Sequence, residues 1–152
     1  MKAKGFEQAL PNNKRFLKGK FAGYPDCYIV PVSDGDDLNS QISGVSVVFP
    51  EANSWEDLMQ SYNNIKEMTK SKYGEPIFVE EKFEQPNVND SSSKFFEAKM
   101  ERCKYLTAFK AEGGLIVIQI QGFKLNMSCS VAMRYLDDKN LDESNRKAIE
   151  DL

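Results

Sequence analysis

The residues of this chain that could carry covalent or acid–base chemistry are few and scattered. There is no histidine among the 152 residues, which removes the commonest general base, metal ligand and triad partner together. Cys27, Cys103 and Cys129 lie far apart with no Cys-x-x-Cys spacing, a pattern that makes neither a zinc site nor a disulfide framework. They read as small buried hydrophobes in strands, with one disulfide between two of them as the alternative. Cys103 stands between Arg102 and Lys104, cations that depress a thiol pKa at an exposed position, yet the burial habit of cysteine favours a core role. Glu80, Glu81, Glu84 and Asp90 could pair carboxylates, but adjacent acids in a polar connection read as a solvated face. Ser91, Ser92 and Ser93 have no histidine base, so a nucleophile there would need Lys94 or Lys99. Asp34-Gly35-Asp36-Asp37 lacks the spacing and terminal Glu of a calcium loop and reads as a turn. Gly113-Gly114 is followed by a strand where a phosphate loop needs a helix N-terminus, so it too is a hairpin turn. The reading is of a non-enzyme, with no catalytic residue, metal ligand or cofactor assigned.

Charge and hydropathy narrow the partners. The net charge is −3, from 20 basic and 23 acidic residues mixed along the chain. A nucleic-acid or anionic-membrane surface needs clustered Lys and Arg instead. No apolar run approaches the roughly 20 residues of a membrane span, and Met1–Phe6 carries no apolar h-region of a signal peptide. An apolar content of 41% with 10 Phe, 6 Tyr and 1 Trp supports a packed core rather than disorder.

The element that must position any site is a helix in the stretch from Asn53 to Pro76. Trp55, Leu58, Tyr62, Ile65 and Met68 recur at spacings of three and four and predict one apolar stripe. Asn53 with Glu56 predicts a capping box, and Gly74 and Pro76 predict its end. Strands are predicted over 15–21, 27–32 and 42–49, with Pro31 making the second an edge or bulged strand. Residues 77–83 read as a short extended segment or a connection and 85–93 as a surface loop. A short helix over 93–103, with a strand as the alternative, would bury Phe96, Met100 and Cys103. Three more strands follow over 104–111, 115–121 and 128–136; Ile116, Ile118 and Ile120 share one face, as do Cys129, Val131, Met133 and Tyr135.

The two halves match in kind and order. Phe-Leu-Lys-Gly-Lys-Phe-Ala-Gly (16–23) parallels Tyr-Leu-Thr-Ala-Phe-Lys-Ala-Glu-Gly (105–113), and Gly-Val-Ser-Val-Val-Phe-Pro-Glu (44–51) parallels Cys-Ser-Val-Ala-Met-Arg-Tyr-Leu-Asp (129–137). Each half reads as a helix followed by a three-stranded antiparallel meander. The expected fold is α+β: one domain of two repeats, about 1–52 and 53–137, with a helical tail over 138–152. Met1–Phe6 reads as the last turn of a first helix, so the chain is expected to begin inside a longer protein.

With Ile116, Ile118 and Ile120 toward the helices, the other sheet face carries Gln119, Gln121, Ser130 and Arg134. Tyr105, Thr107 and Phe109 are expected to join them. Aromatics and Arg among polar neighbours are the residues of recognition surfaces. The six candidate binding residues are therefore Tyr105, Thr107, Phe109, Gln119, Gln121 and Arg134.

The motifs Lys-x-Lys-Gly-Phe, Leu-Lys-Gly-x-Phe-Ala-Gly-Tyr-x-Asp-Cys, Val-Val-Phe-Pro-Glu, Ser-Trp-x-x-Leu, Lys-Tyr-Gly-Glu-Pro, Arg-Cys-Lys-Tyr and Tyr-Leu-Asp span nearly the whole chain. In them the chain resembles a family of small exported proteins of gut Bacteroidetes. That resemblance implies an upstream signal peptide and helix, and a periplasmic or secreted location. The repeat layout is similar to the β-lactamase inhibitory protein fold, tandem helices packed on antiparallel sheet with the other face open. Neither resemblance brings a catalytic residue or ligand, since fold alone does not carry function. The expectation is a binding module of the cell envelope that meets a protein or glycan partner through the open face. The alternative is an assembly accessory acting by sheet-edge pairing.

Overall fold

The computed structural model describes residues 7–10, 13–33 and 42–137, with side chains over 17–31 and 44–137. The stretch that organises it forms α1, Trp55–Tyr73. Its cap lies one residue later than the sequence reading. Extended Ser54 accepts the Asp57 N–H at 3.1 Å, while the Asp57 carboxylate accepts the Asn53 N–H at 2.9 Å. Asp57 therefore performs the reciprocal role expected of Glu56. Gly74, at φ 88°, closes the helix by donating to the Lys70 carbonyl. Trp55, Leu58, Tyr62 and Ile65 are buried as expected, but the stripe continues through Thr69, and Met68 is 45% exposed. Met68 lies six residues past Tyr62, about 120° round the helix, whereas Thr69 at seven stays within about 20° of it. The Thr69 hydroxyl is satisfied by the Ile65 carbonyl at 2.7 Å, so it enters the core without an orphaned polar group.

Eight strands form one sheet: β1 Glu7–Leu10, β2 Asn13–Phe21, β3 Tyr24–Ser33, β4 Ile42–Val48, β5 Phe78–Phe83, β6 Cys103–Ala111, β7 Gly114–Phe123 and β8 Ser128–Asp137. The order is β1-β2-β3-β4-β8-β7-β6-β5 and every pair is antiparallel. Two four-stranded meanders thus meet where β4 lies beside β8, from Gly44↔Leu136 to Val48↔Ala132. The chain is α+β. Each meander holds one strand more than the sequence reading, β1 and β5, because both are short pieces without a long alternating run.

A second helix, α2, spans Ser91–Lys99 with Asp90 as its cap. It packs with α1 on the same sheet face, where Ile29, Val47, Phe49, Phe109, Ile116, Ile118, Cys129 and Val131 complete the main core. The strand alternation produces this directly: in β7 and β8 every second residue meets the helices. The expected stripe of α2 is displaced. Glu97 and Ala98 are its buried residues, Phe96 is exposed, and Cys103 belongs to β6. The Asp90 cap starts the helix two residues earlier than expected, and the chain leaves it after Lys99, with Glu101 at φ 59°.

The Pro31 strand is not an edge: β3 lies between β2 and β4. Its pairing with β2 runs only from Tyr24 to Ile29, and its pairing with β4 slips between Val32 and Ser33. An interior strand tolerates proline there because one ladder has already stopped. The expected first helical turn, the Asp34–Asp37 turn and the helical tail lie outside the described residues.

Candidate functional site

The hairpin register decides where the candidate residues point. The turn at Glu112–Gly113 sets Ala111 opposite Gly114, and hence Phe109 opposite Ile116 and Thr107 opposite Ile118. Directly opposed residues share a face, so Tyr105, Thr107 and Phe109 lie on the helix side with the isoleucines. Phe109 is in the core. The Thr107 hydroxyl is 2.7 Å from that of Tyr62, and the Tyr105 ring packs 5.5 Å from Trp55, 5.5 Å from Phe83 and 6.0 Å from Tyr62. Gln119, Gln121 and Arg134 lie on the opposite face. The six residues therefore do not form one surface, because a one-residue change of register exchanges the faces. Counting outward from the two-residue turn would have placed them.

Neither described helix covers the opposite face. Its middle holds a second apolar cluster of Leu106, Ala108, Val117 and Leu136. Arg134 sits beside Val117 and Ser46, where burial lowers the pKa of its guanidinium. Two clefts lie at the end of the sheet where β8 begins.

The first cleft exists because β6 and β7 part. Their pairing stops at Leu106↔Gln119, leaving Cys103–Tyr105 and Ile120–Gly122 on the two sides of a fork. The fork encloses about 320 Å³, lined by Tyr105, Lys104, Gln119, Gln121 and, from the end of α2, Ala98 and Glu101. A side chain on Gly122 would run into the Ala98 carbonyl, so glycine admits the helix end. Tyr105, Gln119 and Gln121 are brought together here, from opposite faces, while Thr107, Phe109 and Arg134 stay apart.

The second cleft, about 170 Å³, lies across β8 from the fork. Tyr28, Val48, Pro50, Phe123, Ser128 and Ser130 line it, with Glu51 and Asn126 at hand. It adjoins the fork, since Gln121 pairs with Ser130. The preceding turn, Lys124–Asn126, re-enters the sheet through Met127 at φ 51°, a left-handed conformation that side chains adopt at some cost. Ser130 is 1% exposed and Ser128 8%, yet neither hydroxyl oxygen has a hydrogen-bond partner. Buried hydroxyls nearly always have one. Sequence reasoning placed Ser130 on this face but missed Ser128 and Tyr28; their alternation with Cys129 and Cys27 was the available signal.

The groups considered for chemistry do not converge. Cys103, Cys27 and Cys129 are free thiols. Burial pushes Cys103 up to about 12, helped by the neighbouring Cys129, Glu97 and Glu84, and pushes Cys27 and Cys129 to about 11. Arg102 does not activate Cys103, because it is held by Glu97 at 2.8 and 3.0 Å. Glu80 and Glu81 point to opposite faces of β5: the first meets Lys82 at 2.7 Å, the second Lys66 at 3.0 Å and the Tyr62 hydroxyl at 3.3 Å. Asp90 accepts from the Ser93 N–H and hydroxyl at the start of α2, which consumes both in capping. Lys94 and Lys99 lie 5.9 Å and 4.2 Å from the rings of Trp55 and Phe95. Among the described residues no three His, Cys, Asp or Glu side chains are grouped to hold a metal ion.

No protein-family model matches the chain, and no curated protein and no solved structure is significantly similar to it. No described helix is long and apolar enough to cross a membrane.

Proposed function

We propose that the protein is a non-catalytic binding module, made of two related helix-and-meander repeats, that meets its partner with the sheet face opposite α1 and α2. One observation carries this reading: two adjoining clefts at one end of the sheet, one in the fork of β6 and β7 lined by Lys104, Tyr105, Gln119 and Gln121, the other lined by Tyr28, Phe123, Asn126 and Ser128. Concave sites that gather a few polar groups beside apolar and aromatic side chains are where ligands bind. The family resemblance adds the setting, a periplasmic or secreted protein of the cell envelope, with a protein or glycan as partner. The test is capture from envelope extract by the immobilised protein, against a variant carrying Gln121→Ala, Lys104→Ala and Tyr28→Ala, and a control carrying Glu67→Ala and Lys70→Ala on α1. Capture lost in the first variant and kept in the control supports the face. Equal capture by all three overturns it.

A second reading, assembly through a sheet edge, is favoured by β5. This outermost strand and the residue before it expose Ile77, Phe78 and Val79, and open apolar edges invite pairing. Sedimentation velocity decides it. Association that rises with concentration and is abolished by Val79→Lys supports edge pairing; a monomer at all concentrations removes it.

A further inference from the structure

We infer that the partner of the β5 edge is a second copy of this chain, joined edge to edge about a twofold axis through Glu81. The inference rests on the edge-pairing reading and names its partner and register. β5 is the last strand of the described sheet, and its side chains are open to solvent: Ile77 is 58% exposed, Val79 46% and Phe78 36%. The main chain decides which residues can meet a further strand. Glu84 donates its N–H to the Arg102 carbonyl at 3.0 Å, and the same register sets Lys82 against Lys104 and Glu80 against Leu106. Hydrogen-bonded pairs alternate along an antiparallel ladder, so the even-numbered residues spend their N–H and C=O groups on β6. Val79, Glu81 and Phe83 turn theirs outward, toward the edge.

A second β5 must meet those groups with its own Val79, Glu81 and Phe83, so the register can slide only by two residues at a time. With Glu81 opposite Glu81, Val79 meets Phe83 and Glu80 meets Lys82, each twice by symmetry. A slide one way sets Glu80 on Glu80 and Lys82 on Phe78. A slide the other way sets Lys82 on Lys82 and Glu80 on Glu84. Opposed side chains stabilise a ladder when charges are opposite or both groups are apolar, and destabilise it when charges are alike. Of the three registers, only the first matches charge with charge and apolar with apolar. Its charges are already gathered, since Glu80 holds Lys82 of its own strand at 2.7 Å and Lys104 at 3.8 Å. Two copies close a ring of two glutamates and two lysines. Glu81, which faces its own copy, is drawn back toward α1 by Lys66 at 3.0 Å and the Tyr62 hydroxyl at 3.3 Å, which offsets the like-charge cost. An edge lysine discourages an arbitrary strand; here it meets a glutamate, so the charge selects an identical, self-complementary partner. Two edges of 6 residues bury less than the roughly 1,000 Å² of a stable interface, so the dissociation constant is expected at about 0.1–1 mM.

The experiment combines sedimentation velocity of the full chain, from about 10 µM to about 1 mM, with thiol trapping of the register. The unaltered chain should show a reversible monomer–dimer equilibrium. Glu80→Lys and Lys82→Glu each set like charges opposite one another at both pairs and should weaken it about tenfold or more. An equimolar mixture of the two variants puts opposite charges back at both pairs and should recover the dimer. For the register, Glu80→Cys and Lys82→Cys chains of different mass are mixed under mild oxidation, with circular dichroism confirming the fold of each. The disulfide should join unlike chains, because residues of a non-hydrogen-bonded pair stand about 4.5 Å apart at Cα, within disulfide reach. The unaltered chain is the control for its own three thiols. A chain that stays monomeric at about 1 mM overturns the inference and the edge reading together, as does association that survives Val79→Lys. Association that Val79→Lys abolishes, but that ignores the charge reversals or traps Glu80→Cys with itself, overturns this pairing and leaves the edge reading standing.

Discussion

Replacing Ser130 by alanine should make the protein more stable. The hydroxyl is buried, its residue is 1% exposed and it has no partner. A buried hydroxyl left unpaired costs about 1–3 kcal/mol relative to its hydrated state in the unfolded chain. Removing one oxygen opens little cavity, so most of that cost is recovered. We expect a gain of about 1–2 kcal/mol for Ser130→Ala and about 1 kcal/mol for Ser128→Ala, which is slightly less buried. For a chain of this length each kcal/mol raises the melting midpoint by about 2–4 °C, so Ser130→Ala should melt about 3–6 °C higher. Urea unfolding followed by circular dichroism gives the free energies directly, provided the slope with denaturant is unchanged. Ser46→Ala, on the same face but half-buried, is the control and should stay within about 0.5 kcal/mol. The double variant should gain less than the sum of the two if one ordered water serves both hydroxyls. A loss of about 1 kcal/mol or more in Ser130→Ala would refute the reasoning, since the hydroxyl would then be contributing a native hydrogen bond.

Four further outcomes follow from the geometry. Tyr62→Phe leaves the Thr107 hydroxyl without its 2.7 Å partner and should cost about 1–3 kcal/mol by denaturant unfolding. Arg102→Met strands the buried Glu97 carboxylate; because the arginine is itself 40% exposed, the loss should be about 1–2 kcal/mol, below that of a fully buried pair. Gly122→Ala forces a methyl against the Ala98 backbone and should cost about 1–3 kcal/mol, with amide exchange accelerated at the end of α2. The thiols define a pH limit. Their folded pKa values of about 11, 11 and 12 lie above the ordinary 9.0, so the folded state holds its thiol protons longer than the unfolded chain. Stability is thus complete below pH 9 and falls as pH rises through 9 to 12. At pH 8 labelling by a thiol-disulfide reagent should be far slower than in urea; equal rates would contradict the burial.

Much of the fold was legible in the sequence. The three-and-four spacing of Trp55, Leu58, Tyr62 and Ile65 sufficed for α1, and the alternation of Ile116, Ile118 and Ile120 against Gln119 and Gln121 sufficed for the two faces of β7. Both patterns are local, because a helix or strand repeats over a few residues and its apolar side must be covered. What the sequence left open was every property that depends on a partner element. Pro31 reads as the mark of an edge or of a bulge; β3 is interior, with no pairing to β2 beyond Ile29 and an irregular pairing to β4 between Val32 and Ser33, which only the neighbouring strands reveal. Tyr105, Thr107 and Phe109 carry the residue types of a recognition surface, yet hairpin register turns them onto the helices. The fork between β6 and β7 has no signature at all: it arises where the ladder ends at Leu106↔Gln119 and the end of α2 closes on Gly122. The unpartnered state of Ser128 and Ser130 is likewise tertiary, because a serine in a strand shows its alternation in the sequence, while the presence or absence of a hydrogen-bond partner belongs to whatever the fold brings against it.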